Sequence, residues 1–260
     1  MMPVPREPMK SKWDVLFSPA EFQALSPDAL AGVVCVVFDV LRATSTMVTA
    51  LANGAMEVVP VRSIEEAVGW RLHDPEVLLG GERGGVRISA ALSGGVEFDL
   101  GNSPREYTRE KVADRRVVMT TTNGTRALRA CAGAQRTFVG ALRNRAALAA
   151  RLRDLKPGRL LLVCSGTGEE SAMEDVLSAG ALAAMVADVA RDDARLGDGW
   201  RMALALYESA RSNLAKALAE TKNGLRLAAM EELAPDIEVC ARLDDLEFVP
   251  WLDERGHVRI

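Results

Sequence analysis

The stretch "VVMTTTNGTRAL", Val117–Leu128, runs an apolar strand directly into three threonines, an asparagine and a glycine, and a helical pattern follows at once. Such a junction places hydroxyls, an amide and free backbone N–H groups at the positive end of a helix dipole, which suits an anion. The plainer reading is a strand end with an ordinary cap, because Thr and Asn are favoured at caps whatever the function. Outward from this junction the same alternation repeats. Apolar runs at Trp13–Phe17, Val33–Phe38, Glu57–Val61, Val77–Gly81, Arg116–Met119, Thr137–Gly140, Arg159–Cys164 and Glu247–Trp251 read as strands. Helical patterns fit between most of them, so the chain reads as α/β with a largely parallel sheet.

Helix starts carry their own signals. Ser18 with Glu21, Ser63 with Glu66, Ser103 with Glu106 and Ser171 with Glu174 all have the spacing of a capping box. The segment from about 171 to 232 is mainly helical and Ala-rich. One internal echo appears: residues 33–70 and 116–150 share the layout strand, threonine loop, helix, "NGA" or "AGA" turn, strand, loop, helix. This fits a duplicated β-α-β-α unit, with the two threonine loops at equivalent places. No low-complexity linker interrupts the chain, so residues 1–260 read as a single α/β unit.

Composition narrows the partners. The chain has 260 residues, 26% of them charged, a net charge of −4 and a mean hydropathy of +0.04, which describes an ordinary globular protein. That acidity gives no general attraction to nucleic acid or to an anionic membrane, so any positive potential must be local. The N-terminus lacks the apolar run of a signal peptide, and no segment reaches the length of a membrane span. Cys35, Cys131, Cys164 and Cys240 lie far apart, and Cys35 and Cys164 sit in strand-like runs as buried thiols would. These features predict a cytoplasmic protein. A homo-oligomer is compatible with them.

The chemistry-bearing residues gather at strand ends. "FDVLRATST" puts Asp39 at the carboxyl end of a parallel strand, where open α/β sheets bind ligands, followed by Arg42, Thr44, Ser45 and Thr46. Against this stands Asp39 as a helix cap and Arg42 paired to a surface acid. "GGERGGVRI" sets Glu82, Arg83 and Arg87 among glycines, or forms a surface turn. "FDLGNSPREY" adds Asp99 and Asn102, although Ser103 and Glu106 explain that stretch as a capping box. "VCSGTGEESAMEDVLSAG" carries Ser165 and Gly166, then Glu169, Glu170, Glu174 and Asp175; acids in a first helical turn are also ordinary dipole partners. His73 and His257 are the only histidines and read as non-catalytic, His257 in a surface tail.

Anion plus divalent cation is the simplest joint reading, because Mg²⁺ takes one or two carboxylates together with phosphate oxygens and water. The absences sharpen it. Two histidines exclude histidine-rich di-metal phosphohydrolases, and no Cys-x₅-Arg loop exists for a cysteine phosphatase. The position two residues after Asp39 is Leu41, which excludes the two-aspartate motif of haloacid-dehalogenase-type phosphatases, and there is no Walker motif.

In order along the chain, "DVLRATST", "GERGG", "FDLGNSP", "TTTNGT", "CSGT" and "EDVLSAG" resemble the 2-phosphosulfolactate phosphatase (ComB) family, and "NGLRL" and "DIEVCARLDDLEFVP" fit its later pattern. The resemblance covers roughly Val33 to Pro250. It implies a three-layer α/β/α fold and a Mg²⁺-dependent phosphatase that converts 2-phospho-3-sulfolactate, a small anionic phosphate ester, to 3-sulfolactate and phosphate. Asp39, Arg42 and Asp175 are then the catalytic candidates, and Asp39, Glu82 and Glu174 the metal ligands. Thr44, Ser45, Arg83, Asn102, Thr121, Thr122, Asn123, Gly124, Thr125, Ser165 and Gly166 are the candidates to hold substrate. Asp39 either activates water or attacks phosphorus itself. Related 2-phospho-carboxylates are the alternative substrates, and a non-catalytic anion-binding protein the alternative role. "VRISAALSGGVE", Val86–Glu97, is longer than the family pattern leads one to expect and would alter specificity if it shaped the pocket.

Overall fold

A computed structural model of the chain describes residues 12–188 and 196–260. The N-terminal residues 1–11, read above for the lack of a signal peptide, and 189–195 within the helical segment lie outside the described residues. The strands are β1 (Trp13–Leu16), β2 (Val33–Phe38), β3 (Glu57–Pro60), β4 (Leu78–Arg83), β5 (Val86–Arg87), β6 (Arg116–Thr120), β7 (Arg136–Gly140), β8 (Arg159–Cys164), β9 (Trp251–Leu252) and β10 (Val258–Arg259). The helices of the first half are α1 (Pro19–Gln23), α2 (Pro27–Leu30), α3 (Ala43–Ala52), α4 (Ile64–His73), α5 (Ala90–Ser93), α6 (Arg109–Val112) and α7 (Gly124–Ala130). Then follow α8 (Arg145–Leu155), α9 (Met173–Met185), α10 (Asp198–Ala210), α11 (Leu214–Ala219), α12 (Lys222–Ala228) and α13 (Pro235–Cys240).

The sheet order is β1-β8-β2-β7-β9-β10-β3-β6-β4-β5. It consists of two parallel arms, β1-β8-β2-β7 and β3-β6-β4, joined through the antiparallel hairpin β9–β10. Because β9 is antiparallel to β7 and β10 to β3, the arms run in opposite senses. The order reads the same from either side of the hairpin: β8, β2, β7 and β9 on one side answer β4, β6, β3 and β10 on the other. The first strand of each echoed unit pairs with the second strand of the other, β2 with β7 and β6 with β3. That palindrome concerns arrangement, not descent.

Burial follows from the sequence pattern. "VVCVVF" forms β2 with all six residues buried, as a central parallel strand covered on both faces must be. Val33, Cys35 and Val37 face α3 and α7 in one cluster, which β6 joins through Val117 and Met119. Val34, Val36 and Phe38 face the other way, toward α8, α9 and α10. Across the second arm Val59, Leu79 and Val118 pack with Ala67 of α4, Ile88 and Phe98. Helices thus cover both faces, and the expected three-layer α/β/α arrangement is what forms. Each fully buried Val, Leu or Phe contributes roughly 1.5–3 kcal/mol relative to exposure. At the β1 edge Trp200 is buried with its ring centroid 5.4 Å from that of Trp13, which anchors α10.

Several sequence expectations change. Ser18 and Ser63 do cap: Glu21 accepts from the Ser18 N–H at 3.0 Å, and Ser63 Oγ accepts from the Glu66 N–H at 3.1 Å. Ser103 and Glu106 do not form a box, because Ser103 Oγ donates to Asp236 at 2.6 Å and Glu106 accepts from the Gly101 N–H. At α9 the cap position is Ala172, and Glu174 is buried. Tertiary partners outbid the local cap in both cases. "GGERGG" is not a surface turn throughout: β4 runs on to Arg83, and only Gly84 and Gly85, at φ 64° and 84°, turn back into β5. Of "EFVPW" only Trp251 enters a strand, the short β9. His257 is buried, with Nδ1 3.1 Å from Glu57 Oε2 and its ring edge-on to Trp70, because the hairpin carrying it sits at the centre of the sheet.

Candidate active site

The loops that leave β2, β4, β6 and β8 at their carboxyl ends converge, with α12, on one open cavity of about 630 Å³. Asp39 follows β2. Its Oδ1 accepts from the Ala43 N–H at 3.1 Å, so it also serves the start of α3 as a cap would. Its Oδ2 faces the start of α7, where a Cβ on Gly124 would lie 2.6 Å away. Asp39 is half-buried, and its pKa is pushed up to about 7 by burial and by the charges of Glu82 and Glu174, against hydrogen bonds from Ala43 and Gly124.

Three further carboxylates stand around it. Glu82 is buried; its Oε1 accepts from the N–H and hydroxyl of Thr122, both at 2.9 Å, and its Oε2 from the Gly85 N–H at 2.6 Å. Asp175 spans two loops, with Oδ1 accepting from the Val40 N–H at 2.9 Å and Oδ2 from the Gly166 N–H at 3.1 Å. Burial first, then Asp39 and Glu174, push its pKa well above the carboxylate range. Glu174 Oε1 accepts from Asn223 Nδ2 at 2.5 Å. With Glu169 and Glu170 at the rim, six acids line the cavity against three cations, Arg42, Lys222 and Arg226, a formal balance of 3 − 6 = −3. Two acceptors in the same wall, Asn102 Oδ1 and Asn123 Oδ1, are buried without a hydrogen-bond partner.

Of the sequence candidates, Asp39, Arg42, Glu82, Asn102, Thr122, Asn123, Gly166, Glu174 and Asp175 meet in this cavity. The remaining candidates do not line it. Thr44 Oγ1 donates to Asp39 O and Ser45 Oγ to Val40 O, which folds their own loop. Thr121 and Thr125 clasp each other across the first turn of α7. Arg83 turns to Glu82 O and Thr120. Ser165 is buried with its hydroxyl unpartnered, while its carbonyl accepts from Asn123. Arg42 lines the cavity but is not free: Nη1 donates to Asp236 at 2.5 Å and Nη2 to Gly85 O at 2.6 Å. Asp236 is fully buried, not a surface acid. The residues that strand-end reasoning missed are Lys222, Asn223 and Arg226 of α12, although the motif "NGLRL" includes Asn223 and Arg226. The segment Val86–Glu97 lies outside the cavity lining.

The acids fit a hard cation through their uncompensated charge and the orphaned amide oxygens. Asp39, Glu82, Glu174 and Asp175 are spread around the walls, leaving room for phosphate oxygens and water, as Mg²⁺ coordination requires. Among the described residues, the one cluster of three with ligand atoms within 4.8 Å of each other is Glu57, Asp253 and His257. It sits at the opposite end of β3, and it too could take a metal ion. Arg116, Arg255 and Arg259 already pair with it, however, and supply its positive charge.

A polar, acid-lined cavity with N–H and amide groups at strand ends defines the class, an α/β enzyme acting on an anion. The family described as 2-phosphosulpholactate phosphatase matches residues 21–255, and the chain belongs to that family. Proteins named "Probable 2-phosphosulfolactate phosphatase" from Prochlorococcus marinus and Symbiobacterium thermophilum are 40% and 38% identical over 231 and 229 residues. These alignments cover 88% and 87% of this chain and 90% and 94% of theirs. One from Pseudothermotoga lettingae is 41% identical over 227 residues, covering 87% of this chain and 92% of its own. The protein is accordingly a phosphoric monoester hydrolase. No helix among the described residues is long and apolar enough to cross a membrane.

Proposed function

We propose that this enzyme hydrolyses 2-phospho-3-sulfolactate to 3-sulfolactate and phosphate with the help of Mg²⁺, which Asp39 and Glu174 would hold. The observation that carries the reading is the excess of acids over cations in a cavity that must receive a polyanion. An added cation reconciles the two. Bound there, Mg²⁺ supplies Lewis-acid stabilisation of the charge that builds on the phosphoryl oxygens. The loop after β6 flanks the phosphate, and Glu82 fixes that loop by accepting from both the N–H and the hydroxyl of Thr122. Asp39, which lines the cavity, takes the proton of the attacking water. The water oxygen bonds to phosphorus, the ester P–O bond breaks, and the leaving oxygen ends protonated as the hydroxyl of sulfolactate. Attack by Asp39 itself would leave an acyl phosphate, and the stereochemical course at an isotopically chiral phosphoryl group distinguishes the two routes: inversion for direct attack by water, retention through the acyl phosphate. Phosphate release from phosphosulfolactate, phospholactate and 3-phosphoglycerate, each with EDTA and then with Mg²⁺, tests the whole reading. Equal release in EDTA, or preference for phosphoglycerate, would overturn it.

A further inference from the structure

We propose that Arg226 selects esters with a second anionic group, by holding the sulfonate or carboxylate remote from the phosphate; this rests on the phosphatase reading above. The cavity has three cations, and two are already committed. Arg42 is buried between Asp236 and Gly85 O, and Lys222 Nζ lies 2.6 Å from Glu170. Arg226 is exposed, lines the cavity, and has neither an ion pair nor a hydrogen bond among the described residues. The contrast with its neighbours is the argument. Even Arg126, close to the rim, is paired, with Glu169 at 3.1 Å. Six acids line the same cavity, and among the described residues none of them pairs with Arg226.

Its backbone, by contrast, is fixed. Thr221 Oγ1 accepts from the Gly224 N–H at 3.0 Å and caps α12. Asn223 pins the helix to the loop after β8 through Thr167 Oγ1 at 2.6 Å and Glu174 at 2.5 Å, and Leu227 is buried in the core. On the far side Gly85 leaves room for the guanidinium: a Cβ there would sit 2.7 Å from Arg226 Nη2. A planar donor fork therefore lines the cavity beside Gly85, in the same open space as the wall of carboxylates. An ester with its phosphate at that wall would extend its other end toward Arg226, which can grip an oxyanion with two parallel hydrogen bonds.

The test compares 2-phospho-3-sulfolactate with 2-phospholactate, which lacks the distal sulfonate, in wild type, Arg226→Gln and Arg226→Lys. Wild type is expected to favour the sulfonate ester in kcat/KM by about ten- to a hundredfold, the range of one charge-assisted contact. Arg226→Gln should bring that ratio to within about threefold of unity, and Arg226→Lys should restore part of it. A ratio that Arg226→Gln leaves unmoved overturns the proposal, including the case in which both esters fall equally. Calorimetric binding of 3-sulfolactate, malate and lactate to wild type and Arg226→Gln supplies a readout free of turnover. Selective binding of sulfolactate or malate that disappears in the variant supports the subsite, and the preferred one identifies sulfonate or carboxylate as its ligand. Binding that does not discriminate in wild type overturns it. Failure of wild type to release phosphate, with selective anion binding intact, would instead sink the phosphatase reading alone.

Discussion

At the residue scale, the acids read at strand ends meet in one cavity, whereas most of the hydroxyls beside them fold their own loops. Asp39, Glu82, Glu174 and Asp175 are costly to bury without a purpose, so their place beside strand ends was informative. Thr44, Ser45, Thr121 and Thr125 could equally serve a ligand or their own backbone, and the structure gives them to the backbone. Asp39→Asn separates site from cap. Asn can still accept from the Ala43 N–H, so the melting temperature should hold, while kcat drops by about a hundredfold or more through loss of the ionisable oxygen. Unchanged turnover would leave Asp39 as a cap only. Arg42 requires a revised expectation. Its guanidinium fills two buried roles, and a lysine can reproduce only one. Arg42→Lys should therefore cost about 1–3 kcal/mol of stability, seen in denaturant melts, rather than leaving stability untouched. A wild-type melt would show that Gly85 O and Asp236 do not depend on that fork.

At the element scale, the long apolar strands were readable because six buried residues in a row leave little alternative. The β9–β10 hairpin was not, because its four strand residues owe their pairing to β7 and β3, which are remote in sequence. The same reason hid His257. The caps at Ser103 and Ser171 were misread because spacing reports what a serine can do locally and is silent about Asp236 or the cavity. The decisive contact between elements is that of α3 with α7, whose N-termini meet at the site. A Cβ on Gly124 would come within 2.6 Å of Asp39 Oδ2 and 2.7 Å of Ala43 Cβ. Gly124→Ala should therefore force the two helix starts apart, costing about 1–3 kcal/mol as overpacking does. Turnover should fall further than stability implies, because Asp39 moves with α3. Kinetics and melting measured on the same preparation check this, and full activity in Gly124→Ala would show that the junction yields without moving Asp39.

At the scale of the whole molecule, two groups of acids, one in the cavity and one at the start of β3, respond to pH in opposite ways. Glu57 and Asp253 have pKa values held below the ordinary range: burial raises them, but for Glu57 the hydrogen bonds of Arg116 and His257 prevail, and for Asp253 those of His257 and Arg255. Their contribution is present above the unfolded carboxylate pKa and is lost as pH falls through the folded one. Asp39 rises from the ordinary 3.8 to about 7, and Asp175 moves the same way. Between these two values the native state holds protons that the unfolded chain has released, so stability decreases with rising pH across that window. Without a divalent cation the enzyme should be most stable on the acid side of neutrality and should lose melting temperature from about pH 5 toward pH 7. Mg²⁺ competes with those protons, so its stabilising effect should be small at pH 5 and largest at pH 8, moving the optimum upward. Melting curves from pH 4 to 8.5 in EDTA and in Mg²⁺ test this directly. The Mg²⁺ effect should survive Glu57→Gln and vanish in Asp39→Asn; the reverse result would move the metal to the cluster at the far end of β3.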